Sequence, residues 1–461
     1  MKNIHKNVQL FGKGALLIIL TIIIYSCEPL EVNTPTHLLS GETVFTDTKT
    51  VEAAMINLYT NLRDNVLLTG SRNGMSNILG NYADEITYVS AFGLGDEPFF
   101  KNNLHPSNEA ILEIWNGSYK IIYDANAIIE GVANSEYFTK EEQDIFTGEA
   151  LFVRGLTHFY LLNLYGEIPY VTTTNYLINQ SVSRKETSQV YSLIIADLLK
   201  ARDLLPEIDN SGEHLRPNKY VASALLAKCY LYTKQWPLAE QYATEVIENN
   251  GWETELQNVF LKTSLSTLWQ FSPNSVGDPT HEAETFLVLF APPSERILSE
   301  AVVQDFENGD LRKENWVGEI SDGVQTFYFP FKYKIGPGEN NSQEYSIVFR
   351  MAEQFLIRAE ARAYLGNITG SQEDLNKIRF RAGLLETPAS TQSELLPAIL
   401  HERRVELFTE HGHRFFDLKR TGNLDNVLST KPGWNTSDRL FPIPEKELLL
   451  NPNLLPQNSG Y

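Results

Sequence analysis

The sequence predicts a mostly α fold: a tetratricopeptide-like helical solenoid with long irregular loops and a few short strands. Three observations predict it. Apolar residues recur at helical spacing through most of residues 45–248 and again through 348–420. Ala227 and Ala239 lie twelve apart, with Ala243 four later, the spacing of small side chains that lets the two helices of a repeat hairpin approach closely. Between these parts, residues 249–347 lose the period and are rich in Gly, Pro, Ser and aromatic residues. About four helix pairs stacked side by side would form a curved solenoid. They are 142–165 with 187–205, 218–233 with 236–248, 351–366 with 373–382, and the pair ending at Arg420.

The chain opens on an export signal. Residues 1–26 carry Lys2, Lys6 and Lys13, then an apolar run from Gly14 to Tyr25. A basic start and about a dozen apolar residues make a secretory leader, too short for an ordinary membrane span. Ser26 and Cys27 follow, as in a bacterial lipoprotein signal cut before Cys27 with lipid on its thiol. Tyr25 is bulky where a small residue is usual, and a plain signal peptide cut elsewhere is the alternative. Residues 27–44, with Pro29 and Pro35 and little period, read as a tether. The remaining cysteine, Cys229, sits inside an apolar helix and reads as a free buried thiol, so no disulfide is expected.

Residues 45–461 then form a single domain. Without the leader's three lysines the chain keeps 35 basic against 58 acidic residues, a formal charge of −23. Such a surface argues against nucleic acid as a partner and favours one covalent anchor over flat binding to anionic lipid.

In order, helix 46–63 has Thr50 as a possible cap and an apolar row at Ala54, Leu58 and Leu62. Residues 65–103 are aperiodic and hold rings beside amides and carboxylates, a mixture that suits a carbohydrate. Helix 108–132 has rows through Ile111, Trp115, Tyr119 and Ile122. Helix 142–165 carries Arg154 on an otherwise apolar surface, which reads as half of a buried ion pair. Within 249–347, residues 268–271 and 286–290 read as strands, and 327–333 is ring-rich and broken by Pro330. The C-terminal stretch 438–461 is extended, paced by Pro442, Pro444, Pro452 and Pro456, with a short helical run at 446–450.

The segment Leu395 to Gly422 puts charges where an amphipathic helix would not. Leu396, Ile399, Leu400 and Leu407 share a face, yet Arg403, Glu406 and Glu410 lie on or beside it. Buried charges must be paired. Arg403 reaches Glu406 at i,i+3, and Arg404, Glu410 and Arg414 can pair with one another or with neighbouring helices. Gly412 interrupts the helix before Arg414 and Asp417. Arg154, Arg403, Glu406, Glu410, Arg414 and Asp417 are read as a structural ion network.

This segment also carries a resemblance. The run from Glu402 to Arg420, E-R-x-x-E-L-x-x-E-x-x-x-R-x-x-D-L-x-R with two residues between the first Arg and Glu406, resembles the C-terminal signature of the SusD/RagB family, outer-membrane nutrient-binding lipoproteins. Glu149, Ala150, Arg154, Gly166 and Pro169 resemble a second family segment, with Gly155 where Ala is usual. Trp115 and Asn126, then Gly309, Asp310, Arg312 and Trp316, then Lys332 and Tyr333, resemble others. Pro442, Ile443, Pro444 and Glu447, and Asn451 to Tyr461, resemble the family's ending.

The resemblance implies a non-catalytic protein on the outer membrane, lipid-anchored and facing the cell exterior. It implies capture of a nutrient and delivery to a SusC-like TonB-dependent transporter contacted through the solenoid. Glycans are the commoner ligand of the family; RagB-like members are associated with peptides. A helical scaffold without a small ligand is a further alternative. The irregular segments 65–103 and 249–347 are expected to carry the ligand face, with Tyr82, Trp269, Phe271 and Trp316 as its rings.

The motifs of catalysis are missing from the sequence. No G-x-S-x-G, H-E-x-x-H or Gly-rich phosphate loop occurs. No metal spacing occurs; His411 and His413 around Gly412 read as surface or capping residues. Glu402 and Glu406 lie four apart on one helix, flanked by Arg403 and Arg404, with no reason for the raised pKa that a glycosidase acid needs. No enzyme activity, cofactor or metal is expected.

Overall fold

The computed structural model describes residues 44–90, 95–209 and 211–461. The expected leader, Cys27 and most of the expected tether lie outside the described residues.

Helix α1, Thr48–Asp64, buries Val51, Met55, Leu58 and Leu62 in one row. Its cap is Asp47, whose carboxylate accepts from Lys49 N, and not Thr50. Several side chains in TDTKT can cap, and the burial of Val51 sets which one stands at the helix start.

The aperiodic reading of 65–103 is corrected here. The segment contains helix α2, Met75–Tyr82, and strand β1, Ile86–Tyr88. All eight residues of α2 are buried, so it has no polar face from which a period could be read.

The long helices follow: α3 Glu109–Ala133, α4 Lys140–Tyr165, α5 Thr187–Leu204, α6 Lys219–Tyr232 and α7 Trp236–Asn249. Thr139 and Glu142 close a capping box at the start of α4. Each helix packs on the next. Ala227, Ala239 and Ala243 are fully buried, and α6 and α7 pack together as the expected hairpin. A Cβ on Gly155 would lie 3.1 Å from the Leu198 side chain, so glycine suits the close approach of α4 to α5.

After α7 the chain leaves the solenoid. It forms β2 Thr267–Phe271, β3 Arg296–Leu298, β4 Val317–Ser321, β5 Thr326–Pro330 and β6 Ser346–Arg350. Strands β2 and β6 pair antiparallel and close the neck of this excursion. Strand β3 pairs with β1 and runs beside β5, which forms a hairpin with β4. The strand expected over 286–290 is absent: Phe286 ends a helix, His281–Phe286, capped by Thr280. Leu289 and Phe290 are exposed on the loop beyond. An apolar run without a pairing edge stays a loop.

Strand β6 runs directly into α8, Met351–Tyr364, which packs against α7 as though the excursion were not there. Helix α9, Ile368–Arg381, begins earlier than 373 because Asn367 caps it. Helix α10, Gln392–Leu407, ends before Gly412. Thr409 and His411 take positive φ, and Gly412, at φ 75°, starts helix α11, His413–Arg420. The solenoid therefore consists of α4/α5, α6/α7, α8/α9 and α10/α11, with α3 packed on α4. The C-terminal stretch is stapled to the end of α4: Phe441 N donates to Leu164 O, and the Asn458 side chain donates to Tyr165 O.

Candidate functional site

The ion network joins the excursion to the solenoid. Glu406, on α10, faces Arg350 at the end of β6 (2.5 Å), Arg381 at the end of α9 (2.5 Å) and Arg312 (3.1 Å). Arg312 also pairs with Asp310 (2.8 Å) and Glu402 (2.6 Å). Glu410 takes Arg350 (2.7 Å) and Lys332. Lys332 Nζ further donates to the carbonyls of Glu406 and Phe408, two backbone acceptors freed where α10 ends.

Burial alone would push the Glu406 carboxyl up, but Arg381, Arg350 and Arg312 outweigh it and hold it well below the usual range. Burial lowers the Lys332 ammonium to about 8, with Glu410 opposing the shift. Glu402 and Glu406 are at most 1% exposed. Neither faces a cleft in which a glycoside could sit.

The pairing differs from the i,i+3 pattern. Arg403 meets Asp417 (2.6 Å) and Glu353 (3.8 Å), not Glu406. Asp417 also holds Arg420, which pairs with Glu360. Arg404 and Arg414 both meet Asp84 (2.8 Å each), across to the segment between α2 and β1. Sequence spacing shows only partners on the same helix, whereas these partners come from other elements. Arg154 meets Asp197 (2.7 Å) and donates to the Asn126 amide (2.7 Å), which ties α3, α4 and α5. His411 and His413 are buried, which corrects their reading as surface residues. Among the described residues no group of His, Cys, Asp and Glu could hold a metal ion.

The four rings expected to face ligand lie in the interior. Tyr82 packs edge-on against Phe415 (5.5 Å) and Phe441 (5.1 Å). Trp269 packs on Phe152 (5.3 Å) and Phe271 (4.9 Å), and its indole N–H donates to Leu215 O. Trp316 packs on Phe260 (5.3 Å), donates to Leu256 O, and has Lys332 over its ring (5.4 Å). Phe271 is buried beside an open groove of about 280 Å³ shared with Tyr59, Arg63 and Arg216. Large rings gain most from full burial when the indole N–H finds an acceptor, and each Trp here has one.

Among the described residues, the exposed ring of the excursion is Phe290. The loop before β3 presents Phe290, 80% exposed, and Leu289, 58% exposed. Val89 N donates to Glu295 O, which ties this loop to the end of β1. Tyr88 lies 6.2 Å from Phe100, and Lys431 lies 5.3 Å from the Phe100 ring. Arg296 anchors the base of the loop through Asp96 (2.8 Å) and Thr285 O (2.7 Å). Beside it, Lys334 lies 5.5 Å from the Phe331 ring. Phe290 leaves a ring free for stacking, whereas Phe331 and Phe100 each carry a lysine over the ring face. Sequence reasoning missed Phe290 because FLVLF looks like a buried strand; the two prolines after it, Pro292 and Pro293, were the signal for a loop.

Two family models match, described as "Starch-binding associating with outer membrane" over residues 40–231 and "SusD family" over residues 318–461. A SusD-like protein of Formosa agariphila is 29% identical, aligning 96% of this chain with 98% of its own. A solved SusD superfamily protein from Bacteroides vulgatus superposes with a TM-score of 0.79 at 21% identity, covering 90% of this chain and all of its own. A solved laminarin-binding SusD-like protein has a TM-score of 0.76 at 23% identity, covering 90% of this chain and all of its own. With both ends matched in order around the same solenoid, the chain belongs to the SusD/RagB family of non-catalytic outer-membrane nutrient-binding proteins.

Proposed function

We propose that this protein captures a glycan at the outer cell surface and passes it to a SusC-like TonB-dependent transporter. Family membership carries this reading, and the exposed Phe290 loop supplies the ligand face. The fold likeness to a laminarin-binding protein supports a glycan over a peptide. The solenoid is the surface offered to the transporter, and lipid on Cys27 holds the domain, residues 45–461, to the membrane through the tether. Tyr82, Trp269, Phe271 and Trp316 act as packing under this reading, not as ligand contacts.

The test is calorimetry of the mature chain with laminarin, starch, other neutral polysaccharides and peptide mixtures. Saturable binding to one glycan is expected, weakened roughly tenfold, about 1.4 kcal/mol, by Phe290→Ala. Binding to peptides alone would replace the glycan by a peptide. Binding of neither would leave a role without a ligand of its own.

A further inference from the structure

A second groove, on elements other than the Phe290 loop, runs between α3 and the C-terminal stretch and encloses about 620 Å³. That is within the range of binding clefts, roughly 300–1,000 Å³. Its lining takes Trp115, Tyr119 and Tyr123 from α3, and Leu450 and Leu454 from the C-terminal stretch. The apolar surface continues past it. Helix Tyr176–Asn179, which supplies Asn179 to the lining, leaves Tyr176, Leu177 and Ile178 more than half exposed. Helix Glu445–Leu450 does the same with Leu449 and Leu450. Exposed apolar side chains gathered about one groove mark an interaction site.

The walls are fixed. The Tyr119 hydroxyl donates to Pro169 O (2.9 Å), and Trp115 packs on Tyr119 and Tyr165 (5.0 Å each). The Asn451 side chain donates to Val182 O (2.8 Å), and that of Asn179 to Thr173 O (2.7 Å).

Glu447 also lines the groove. Among the described residues its carboxylate accepts no hydrogen bond and meets no cation. Burial raises the Glu447 carboxyl above its ordinary range, and no neighbouring charge opposes the shift. The nearby lysines are taken: Lys120 is held by Asp124 beside the Tyr123 ring, and Lys446 pairs with Glu109 (3.2 Å). Glu447 was singled out with Pro442, Ile443 and Pro444 at the chain's ending, and the packing of that ending gives its charge no role. A partly desolvated carboxylate without a partner gains from a cation brought to it.

We infer that this groove docks a protein segment that presents an arginine or lysine between apolar side chains, independently of the Phe290 face. The cation pairs with Glu447 and lies against the α3 rings, whose faces attract positive charge. A guanidinium takes both carboxylate oxygens. The flanking apolar side chains cover Leu450 and its exposed neighbours. Tyr, Trp and Arg are the side chains that dominate such interfaces. The charge of −23 without the leader favours a basic partner over an acidic one and over a second copy of this chain.

The experiment titrates the mature chain, by calorimetry, with the acetylated and amidated peptide Gly-Leu-Arg-Leu-Gly, and with the same peptide carrying Gln or Glu in place of Arg. Hydrogen exchange then locates the protected amides. The Arg peptide is expected to bind roughly tenfold tighter than the Gln peptide, and the Glu peptide not at all, with protection at 176–182 and 447–454. Glu447→Gln should abolish the preference for Arg over Gln at an unchanged thermal midpoint, because the carboxylate it replaces has no partner in the protein. Leu450→Ala should weaken both peptides alike. No binding of the Arg peptide, equal binding of all three, or a preference that survives Glu447→Gln would each overturn the inference. Laminaribiose protecting the same amides in place of the peptide, or a dimer in sedimentation that Leu450→Glu disperses, would assign the groove to a sugar or to a second copy and overturn it as well.

Discussion

Around α6, apolar side chains do the joining. Val221, Leu225, Leu226, Ala227 and Leu231 are buried against α5 and α7, and the partners are next to each other in sequence. Around Trp316, the joining is ionic. A smaller apolar cluster, with Ile86, Phe260, Val302, Trp316 and Phe408, sits beneath the excursion. Arg312, Lys332, Arg350 and Arg381 tie it to Glu402, Glu406 and Glu410. Helix pairs of a solenoid bury their own faces locally. An excursion of short strands has too little apolar surface of its own, so directional charges fix its seat on α10. The apolar core supplies stability; the ions decide where the loops that carry Phe290 stand.

The sharpest way to break this contrast is Glu406→Ala. It removes the carboxylate shared by three arginines, leaving Arg381 with none among the described residues while Arg312 keeps Asp310 and Glu402 and Arg350 keeps Glu410, and is expected to cost about 3–5 kcal/mol, measured by denaturant unfolding. Hydrogen exchange should quicken first over 300–333, with α4 to α7 still protected. A uniform rise across the solenoid would erase the distinction. Trp269→Ala makes the complementary cut. It removes a ring packed on Phe152 of α4 and should cost about 3–5 kcal/mol, with protection falling in the solenoid as well.

Gly412→Ala probes the joint between α10 and α11. Its φ is 75°, and a Cβ would lie 2.2 Å from Leu79 Cδ1. A loss of about 1–3 kcal/mol is expected, read as a lower thermal midpoint. A neutral result would mean that α2 yields freely.

The last effect is pH-dependent. Burial, reinforced by Asp84, raises Glu85 from 4.5 to about 7. The folded state therefore keeps a proton that the unfolded chain releases. This contribution is full below pH 4.5 and is lost as pH rises through about 7. Glu85→Gln should remove that loss, of about 2–3 kcal/mol, when unfolding is compared at about pH 5 and pH 8. Glu406 has the opposite sign: its depressed pKa gives stability above 4.5 that is lost in acid. A stability that falls between pH 5 and 8 in both wild type and Glu85→Gln would assign the effect to another group.

The solenoid was legible because its helices are amphipathic or alanine-spaced, and each pairs with its sequence neighbour; Ala227 and Ala239 sufficed for α6 and α7. The long helix bounds were legible to within a few residues for the same reason. The sequence also determined that Arg403, Glu406, Glu410 and Asp417 need partners, since charges on an apolar stripe cannot stay bare. Tertiary structure decided who those partners are, because Arg312, Arg350 and Arg381 lie tens of residues away. It decided that α2 is a helix, since a helix buried on every side has no period to read. It also decided which rings face out. Trp269 and Phe290 both stand in apolar runs, and only the pairing of β2 with β6 buries one and leaves the other on an unpaired loop.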